Sequence, residues 1–186
     1  MKNIEFIREG LRNLQTVGTL TRSSKQLCKA LIKHVDFQNT KLIVELGAGD
    51  GVITKHILQA MRPDAKLLAF EVNSRFCEQM RQINDDRLVV IEDSAEHLER
   101  YVNEAGFEQI DFIISAIPFV ALPKEAGKMI VNEAHKCLKQ SGRYIQVHYS
   151  LVMKQLYSTV FGNVDVNFVP LNVPPAFVLV SEKNRA

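Results

Sequence analysis

The residues of this chain with the clearest chemical signature are Glu45-Leu46-Gly47-Ala48-Gly49-Asp50-Gly51. A carboxylate closing an apolar run, followed by alternating glycines, lets the backbone turn tightly and lets a ligand approach the peptide groups. Glu71 stands 20 residues after Gly51, at the end of the next apolar run, where an acid can accept two hydrogen bonds from a ribose diol. Asp93-Ser94-Ala95 closes the run after that, with a carboxylate for an adenine amino group and a backbone amide for a ring nitrogen. The ordered set points to a nucleotide-like cofactor. No Gly-Lys-Ser/Thr follows the glycines, which excludes a P-loop.

The charge on this turn narrows the ligand. A pyrophosphate wants an uncharged helix amino terminus, whereas Glu45 and Asp50 flank the glycines with negative charge. Two acids suit a cation. S-adenosylmethionine carries an ammonium and a sulfonium and no phosphate, and it is the cofactor expected here. Ser115-Ala116-Ile117-Pro118-Phe119 follows a later apolar run and is the candidate catalytic turn; the plainer reading is that Pro118 ends a strand and Phe119 fills core. Beyond it lies Gln146-Val147-His148-Tyr149, in which adjacent side chains point to opposite faces, so one of His148 and Tyr149 is expected at the substrate, preferably Tyr149. His34, His56, His97, His135 and His148 form no HExxH-like spacing, and no metal is expected.

The elements that must hold these residues alternate regularly. KLIVEL (41–46), KLLAFE (66–71), LVVIE (88–92), DFIIS (111–115) and RYIQVHY (143–149) read as strands. Helical spacing falls between them, in Ile53, Ile57, Leu58 and Met61 and over 74–83, 95–105 and 124–138, with a further helix over 151–161. Strands joined through helices imply a parallel sheet with right-handed crossovers. The last two β segments, 164–169 and 176–180, are separated by a short proline-containing link, which implies an antiparallel hairpin at the sheet edge. Upstream, residues 3–14 read as an amphipathic helix, and a second helix capped by Ser23 or Ser24 runs through Leu27, Leu31 and Val35.

Composition sets the frame. With 186 residues, 46% hydrophobic and 24% charged, the chain is expected to form one domain, a helical lead-in over 1–36 and an α/β core over 37–186. A net charge of +2 is too mild for a dedicated nucleic-acid binder. It hides an asymmetry, because residues 1–35 hold seven basic and two acidic side chains, a local +5, leaving −3 on the remainder. Cys28, Cys77 and Cys137 form no CxxC pair and fit a reducing cytoplasm. No apolar run approaches the ~18–20 residues of a membrane span, and Met1–Gly10 lacks a signal-peptide core. The basic amphipathic lead-in has two readings: it holds the protein on the anionic inner face of a membrane, or it packs on its own domain with the charged side in water.

On these motifs the chain resembles the Rossmann-like, S-adenosylmethionine-dependent methyltransferases over nearly its whole length. That resemblance implies a seven-stranded, mostly parallel sheet with an antiparallel last strand and helices on both faces. It implies cofactor contacts at Glu45, Gly47, Ala48, Gly49, Gly51, Glu71, Val72, Asp93, Ser94, Ala95 and Ser115. Gly47 and Gly49 would lie near the methionine part, Glu71 on the ribose, Asp93 on the adenine and Ser115 beside the methyl donor. The catalytic set would be Ser115, Ile117, Pro118 and Phe119, with His148 or Tyr149.

Within that family the ribosomal RNA adenine dimethyltransferases have Asn/Asp-Leu/Ile-Pro-Tyr/Phe at the catalytic turn, and this chain has Ala116 at the polar position. An adenine amino group, conjugated with its ring, needs a side-chain acceptor there; an alkyl amine needs only to lose its proton. A small residue before Leu/Ile-Pro resembles instead the bacterial phospholipid N-methyltransferases, which act on phosphatidylethanolamine and relatives such as ornithine lipid. Three more stretches are similar to that family. Val17–Ser24 resembles Gly-x-x-x-Pro-Ser-Ser with Arg22 in place of proline, Gln146–Tyr149 resembles Gln-Phe-Thr-Tyr, and Asn172–Ala176 resembles Asn-x-Pro-Pro-Ala. The expected activity is N-methylation of a phospholipid amine head group. The alternatives are N6-methylation of adenine in RNA, against which Ala116 and the lack of an added basic domain count, and a non-catalytic cofactor-binding or membrane-docking module.

Overall fold

The computed structural model describes residues 23–184. The helix expected over 3–14, and with it most of the basic segment assigned to the membrane, lies outside the described residues. Ser24 caps the first described helix, α1 (Lys25–Ile32), its hydroxyl accepting the Leu27 N–H at 3.1 Å. From there the alternation runs β1 (Leu42–Leu46), α2 (Val52–Ala60), β2 (Lys66–Phe70), α3 (Ser74–Met80), β3 (Leu88–Ile91), α4 (Leu98–Glu104) and β4 (Ile110–Ser115). The second half is α5 (Lys124–Cys137), β5 (Leu138–His148), α6 (Lys154–Phe161), β6 (Asp165–Val169) and β7 (Ala176–Glu182).

The seven strands form one sheet in the order β3-β2-β1-β4-β5-β7-β6. All neighbours are parallel except β7, which runs antiparallel to both β5 and β6. The expected terminal hairpin is present, with β7 slotted inside and β6 left as the edge. β1 and β4 are buried along their whole length because helices cover both faces. Leu42, Val44, Leu46, Leu68, Phe70, Ile113 and Tyr144 face one layer together with Val102, Ile130, Val131 and Phe161. Ile43, Leu67, Ile114, Ile145 and Val178 face the other, against Leu27, Leu31, Ile53 and Ile57.

Several element boundaries differ from the sequence reading: the helix expected over 74–83 ends at Met80, the one expected over 95–105 opens with a 3-10 turn and is α-helical from Leu98, and two elements of the second half start elsewhere. The strand expected from 143 begins at Leu138, directly off α5, and shifts register against β4 between Ile110 and Phe112. Gly142 permits this, since a Cβ there would stand 2.9 Å from the Lys139 carbonyl oxygen and 3.0 Å from that of Asp111. The helix expected from 151 begins at Lys154, after the bends and turns of Tyr149–Met153. The carboxyl ends of the parallel strands, with the loops that follow them, make a single edge where an open α/β sheet binds its ligands.

Candidate active site

The glycine turn after β1 is built on left-handed backbone. Gly47, Gly49 and Gly51 have φ of 74°, 55° and 78°, a region that residues with a Cβ enter only at a cost. The turn is tied to β2, for the Gly47 and Ala48 N–H groups both donate to the Phe70 carbonyl, at 2.9 and 3.0 Å. Gly49 opens outward: a Cβ built on it meets nothing within 4 Å. Gly47 is closed, with a Cβ falling 3.2 Å from the Ile117 Cγ1 and backbone nitrogen. The glycine turn and the turn after β4 therefore touch, and no side chain larger than hydrogen fits between them.

Three carboxylates stand at the ends of β1, β2 and β3, in three different states. Glu45 is fully buried; its Oε2 accepts the Thr54 hydroxyl at 2.6 Å, and its Oε1 has no hydrogen-bond partner among the described residues. Burial raises its pKa to about 8, with the Thr54 hydrogen bond opposing and the nearby Glu71 and Asp50 charges adding. A buried carboxyl with a free oxygen is a seat for a cation. Glu71 accepts three backbone N–H groups, from Gly49 at 2.8 Å, Val72 at 2.8 Å and Asn73 at 2.9 Å. Burial still holds its pKa above the usual carboxylate value, against those three bonds.

Asp93 is the most heavily engaged. Its Oδ1 accepts the Ser94 N–H at 2.7 Å, and its Oδ2 faces Arg100 at 2.8 Å, Tyr101 at 3.0 Å and His97 Nδ1 at 3.1 Å. Burial alone would raise its pKa, but the bonds from Ser94, Tyr101 and His97 outweigh it and leave the group below its ordinary value. Asp93 is thus a firmly ionised anchor with Oδ1 the less occupied oxygen. Ser94 caps the short turn Ala95–His97 through its hydroxyl, and Ala95 is buried beneath.

The turn after β4 is held rigidly from behind. The Ala116 N–H donates to the Leu46 carbonyl at 2.9 Å, and Ser115 Oγ accepts the Ile117 N–H at 3.4 Å. Pro118, at φ −77° and ψ 74°, centres an inverse γ-turn closed by the Phe119 N–H on the Ile117 carbonyl at 2.9 Å. That same carbonyl accepts Gln146 Nε2 at 3.0 Å, while Gln146 Oε1 accepts the Tyr144 hydroxyl at 3.0 Å. Gln146 is fully buried and clamps the turn to β5. The Ile117 carbonyl, twice engaged, is spent on structure.

Phe119 and His148 do not stand at the open side of this turn. Phe119 is 2% exposed and packs on Gly127 of α5 and edge-on to Tyr157 at 6.2 Å, so the core-filling reading describes its side chain. His148 is buried beside it, its Nε2 2.8 Å from the Tyr157 hydroxyl. Burial lowers the His148 pKa to about 4, so the ring is neutral near pH 7. Tyr149 is 42% exposed; burial raises its pKa, and Asn172 nearby opposes the shift. Ser115, Ile117 and Pro118 come together with Gly47 at the meeting of the two turns; Phe119 and His148 support them from the core.

Sequence reasoning singled out neither Thr54 nor Gln146 as a site residue, although each is a polar residue on an otherwise apolar face. It also left Ser24 and Asn172 apart. Asn172 is 1% exposed; its Oδ1 accepts the Ser24 N–H at 3.0 Å and its Nδ2 donates to the Pro174 carbonyl at 2.7 Å. The start of α1 is thereby pinned to the β6–β7 loop at the rim of the site. Among the described residues no cluster of metal-ligating side chains occurs.

The methyltransferase small domain matches this chain over residues 5–168. The chain belongs to that family. It is an S-adenosylmethionine-dependent methyltransferase. The ornithine lipid N-methyltransferase of Singulisphaera acidiphila is 29% identical over 174 residues, covering 92% of this chain and 91% of that protein. The ribosomal RNA small subunit methyltransferase A of Thermotoga neapolitana is 24% identical, covering all of this chain and 74% of that protein. In fold, the methyltransferase is similar to the 1,6-didemethyltoxoflavin-N1-methyltransferase of Burkholderia thailandensis, with a TM-score of 0.71, 13% identity and coverage of 97% and 88%.

Proposed function

We propose that this methyltransferase acts on the amine head group of a membrane phospholipid, of the phosphatidylethanolamine or ornithine lipid type. The observation that carries the reading is the side-chain composition of the catalytic turn. Ala116 offers no polar atom where adenine chemistry needs an acceptor, and Gln146, the nearest buried amide, is consumed in holding the Ile117 carbonyl. A lipid amine asks less of the protein, since its nitrogen is nucleophilic once it has lost a proton. Similarity to an ornithine lipid N-methyltransferase across nine-tenths of both chains supports the same choice.

Bound S-adenosylmethionine supplies a methyl group already activated on a positively charged sulfur. The chain's own residues then need to align rather than to activate. Glu45 Oε1 would take the cofactor's ammonium, Glu71 the ribose hydroxyls and Asp93 Oδ1 the adenine amino group, with the Val72, Ser94 and Ala95 segments along its flank. Gly49 leaves the room above its Cα that the methionine part needs. Ser115, Ile117 and Pro118 form the floor against which the amine is set in line with sulfur. Phe119 and His148 are positioning residues, fixing that floor from the core. Tyr149, half-exposed at the rim, orients the incoming ammonium, whose proton passes to solvent there to leave the neutral amine as nucleophile.

The test is expression in a host that lacks methylated lipids, followed by lipid mass analysis. New methylated head groups, lost with Glu71→Ala, are expected. Unchanged lipids beside newly methylated ribosomal RNA would instead establish the second reading. That reading is favoured by Ile117-Pro118-Phe119 and by the similarity to a ribosomal RNA methyltransferase.

A further inference from the structure

The loops beyond β4 leave large aliphatic side chains in water. Val120 is 64% exposed, Val152 78%, Leu171 68% and Val173 79%, and Leu151 is exposed beside them. Single exposed apolar residues are ordinary on a protein surface. These come from three loops, 116–123, 149–153 and 170–175, which follow β4, β5 and β6 on the same edge of the sheet. The first loop reaches the end of β5, with the Phe119 and His148 ring centroids 6.3 Å apart, and Tyr149 of the second lies near Asn172 of the third. The Ser24–Asn172 hydrogen bond brings the start of α1 to the same rim.

Charge divides that edge. Over β1–β3 it is acidic, with Asp50, Glu71, Glu92 and Asp93. Around the apolar loops stand Lys25, Lys124 and Lys154, the first residues of α1, α5 and α6, and Lys128, one turn further along α5, all exposed, with Glu125 the one acid in the first turns of those helices. Among the described residues none of the four lysines has an ion pair or side-chain hydrogen bond. Aliphatic side chains ringed by unpaired lysines complement an anionic bilayer, where the chains enter the acyl boundary and the ammonium groups meet phosphates.

We infer that this rim is a membrane-docking surface for an anionic bilayer, formed by Val120, Leu151, Val152, Leu171 and Val173 with Lys25, Lys124, Lys128 and Lys154. The choice of a bilayer as the occupant rests on the lipid reading of the active site. The surface draws only on residues beyond position 22 and surrounds the catalytic turn, so docking presents that turn to the head groups. A lipid then needs to rise only as far as its amine, with its acyl chains left in the membrane.

The test is co-sedimentation of the full chain with phosphatidylcholine vesicles, with and without phosphatidylglycerol. The native chain is expected to bind the anionic vesicles, and Val152→Asp with Leu171→Asp to weaken that binding by on the order of tenfold or more. Lys124→Gln with Lys128→Gln should weaken it by roughly tenfold and remove the preference for phosphatidylglycerol. Unchanged cofactor affinity certifies the fold of each variant. Variants that bind as the native chain does would overturn the proposal, as would binding lost only on substituting Arg8 and Arg12. Reduced self-association without reduced vesicle binding would assign the rim to a second copy and likewise overturn it. Methylation of a detergent-dispersed amine lipid, followed in parallel, separates the two claims: vesicle binding lost in the variants of a chain that methylates no lipid supports the surface and refutes the substrate.

Discussion

At alkaline pH, replacement of Glu45 by glutamine should make the cofactor-free protein more stable and the cofactor-loaded protein less so. Glu45 is fully buried, and its pKa stands at about 8 against an ordinary 4.5. Between those two values the unfolded chain holds the group ionised while the folded chain holds it protonated. The folded state therefore binds the extra proton, and stability must fall as pH rises through this window, by about 1.4 kcal/mol per pH unit. The advantage is fully present below pH 4.5 and spent above pH 8, a loss of up to about 5 kcal/mol. Glutamine keeps an acceptor for Thr54 and carries no proton linkage, at the cost of about 1–3 kcal/mol for a buried amide nitrogen without a partner. At pH 5 the variant should equal or fall slightly below the native chain; at pH 8.5 it should exceed it by roughly 2–4 kcal/mol. Urea unfolding at a series of pH values, with and without S-adenosylmethionine, reads both effects. Cofactor should restore the native chain at pH 8, where its ammonium meets the carboxylate, and restore the variant much less. Parallel pH curves for the two proteins would refute the reasoning, because Glu45 would then be neither strained nor waiting for a cation.

Three other perturbations follow from the same geometry. Gln146→Leu strips the Ile117 carbonyl and the Tyr144 hydroxyl of a partner; a loss of about 1–3 kcal/mol in stability is expected, with kcat falling and cofactor affinity, measured by calorimetry, nearly unchanged. Glu71→Ala frees the Gly49 N–H and removes the acceptor proposed for the ribose, and should weaken cofactor binding by tenfold or more. His148, with its pKa near 4 against 6.5 unfolded, should cost the native fold stability as pH falls through that interval, up to about 3 kcal/mol; His148→Phe should flatten that limb in acid unfolding while leaving the kcat profile between pH 6 and 8 without a histidine titration.

The parts of this site that were legible in the sequence are those fixed by local backbone chemistry. Glycines at 47, 49 and 51 announce a turn in left-handed conformation, and acids closing successive apolar runs fall at successive strand ends because a parallel sheet brings all such ends to one edge. Side-chain direction was less legible. Phe119 follows a catalytic-looking Ile-Pro, yet the inverse γ-turn at Pro118 drives its ring into the space that Gly127 leaves on α5. His148 is buried and Tyr149 exposed, and the aromatic cluster of Phe119, Tyr144 and Tyr157 takes the histidine. Pairings across the fold left no local trace at all. Nothing near Ser24 signals Asn172, 148 residues later, and nothing in RYIQVHY says that its glutamine will reach the Ile117 carbonyl. The start of β5 at Leu138 depends likewise on Gly142 fitting between two carbonyl oxygens, one of them from β4.

The central claim, that this methyltransferase acts on a lipid amine, is tested most directly by competition. The purified chain, methyl-labelled S-adenosylmethionine, anionic vesicles containing phosphatidylethanolamine or ornithine lipid, and unmethylated ribosomal RNA are combined in one reaction. Label should appear in the organic phase on the lipid nitrogen, and should vanish with Glu71→Ala. Label confined to the RNA would contradict the account.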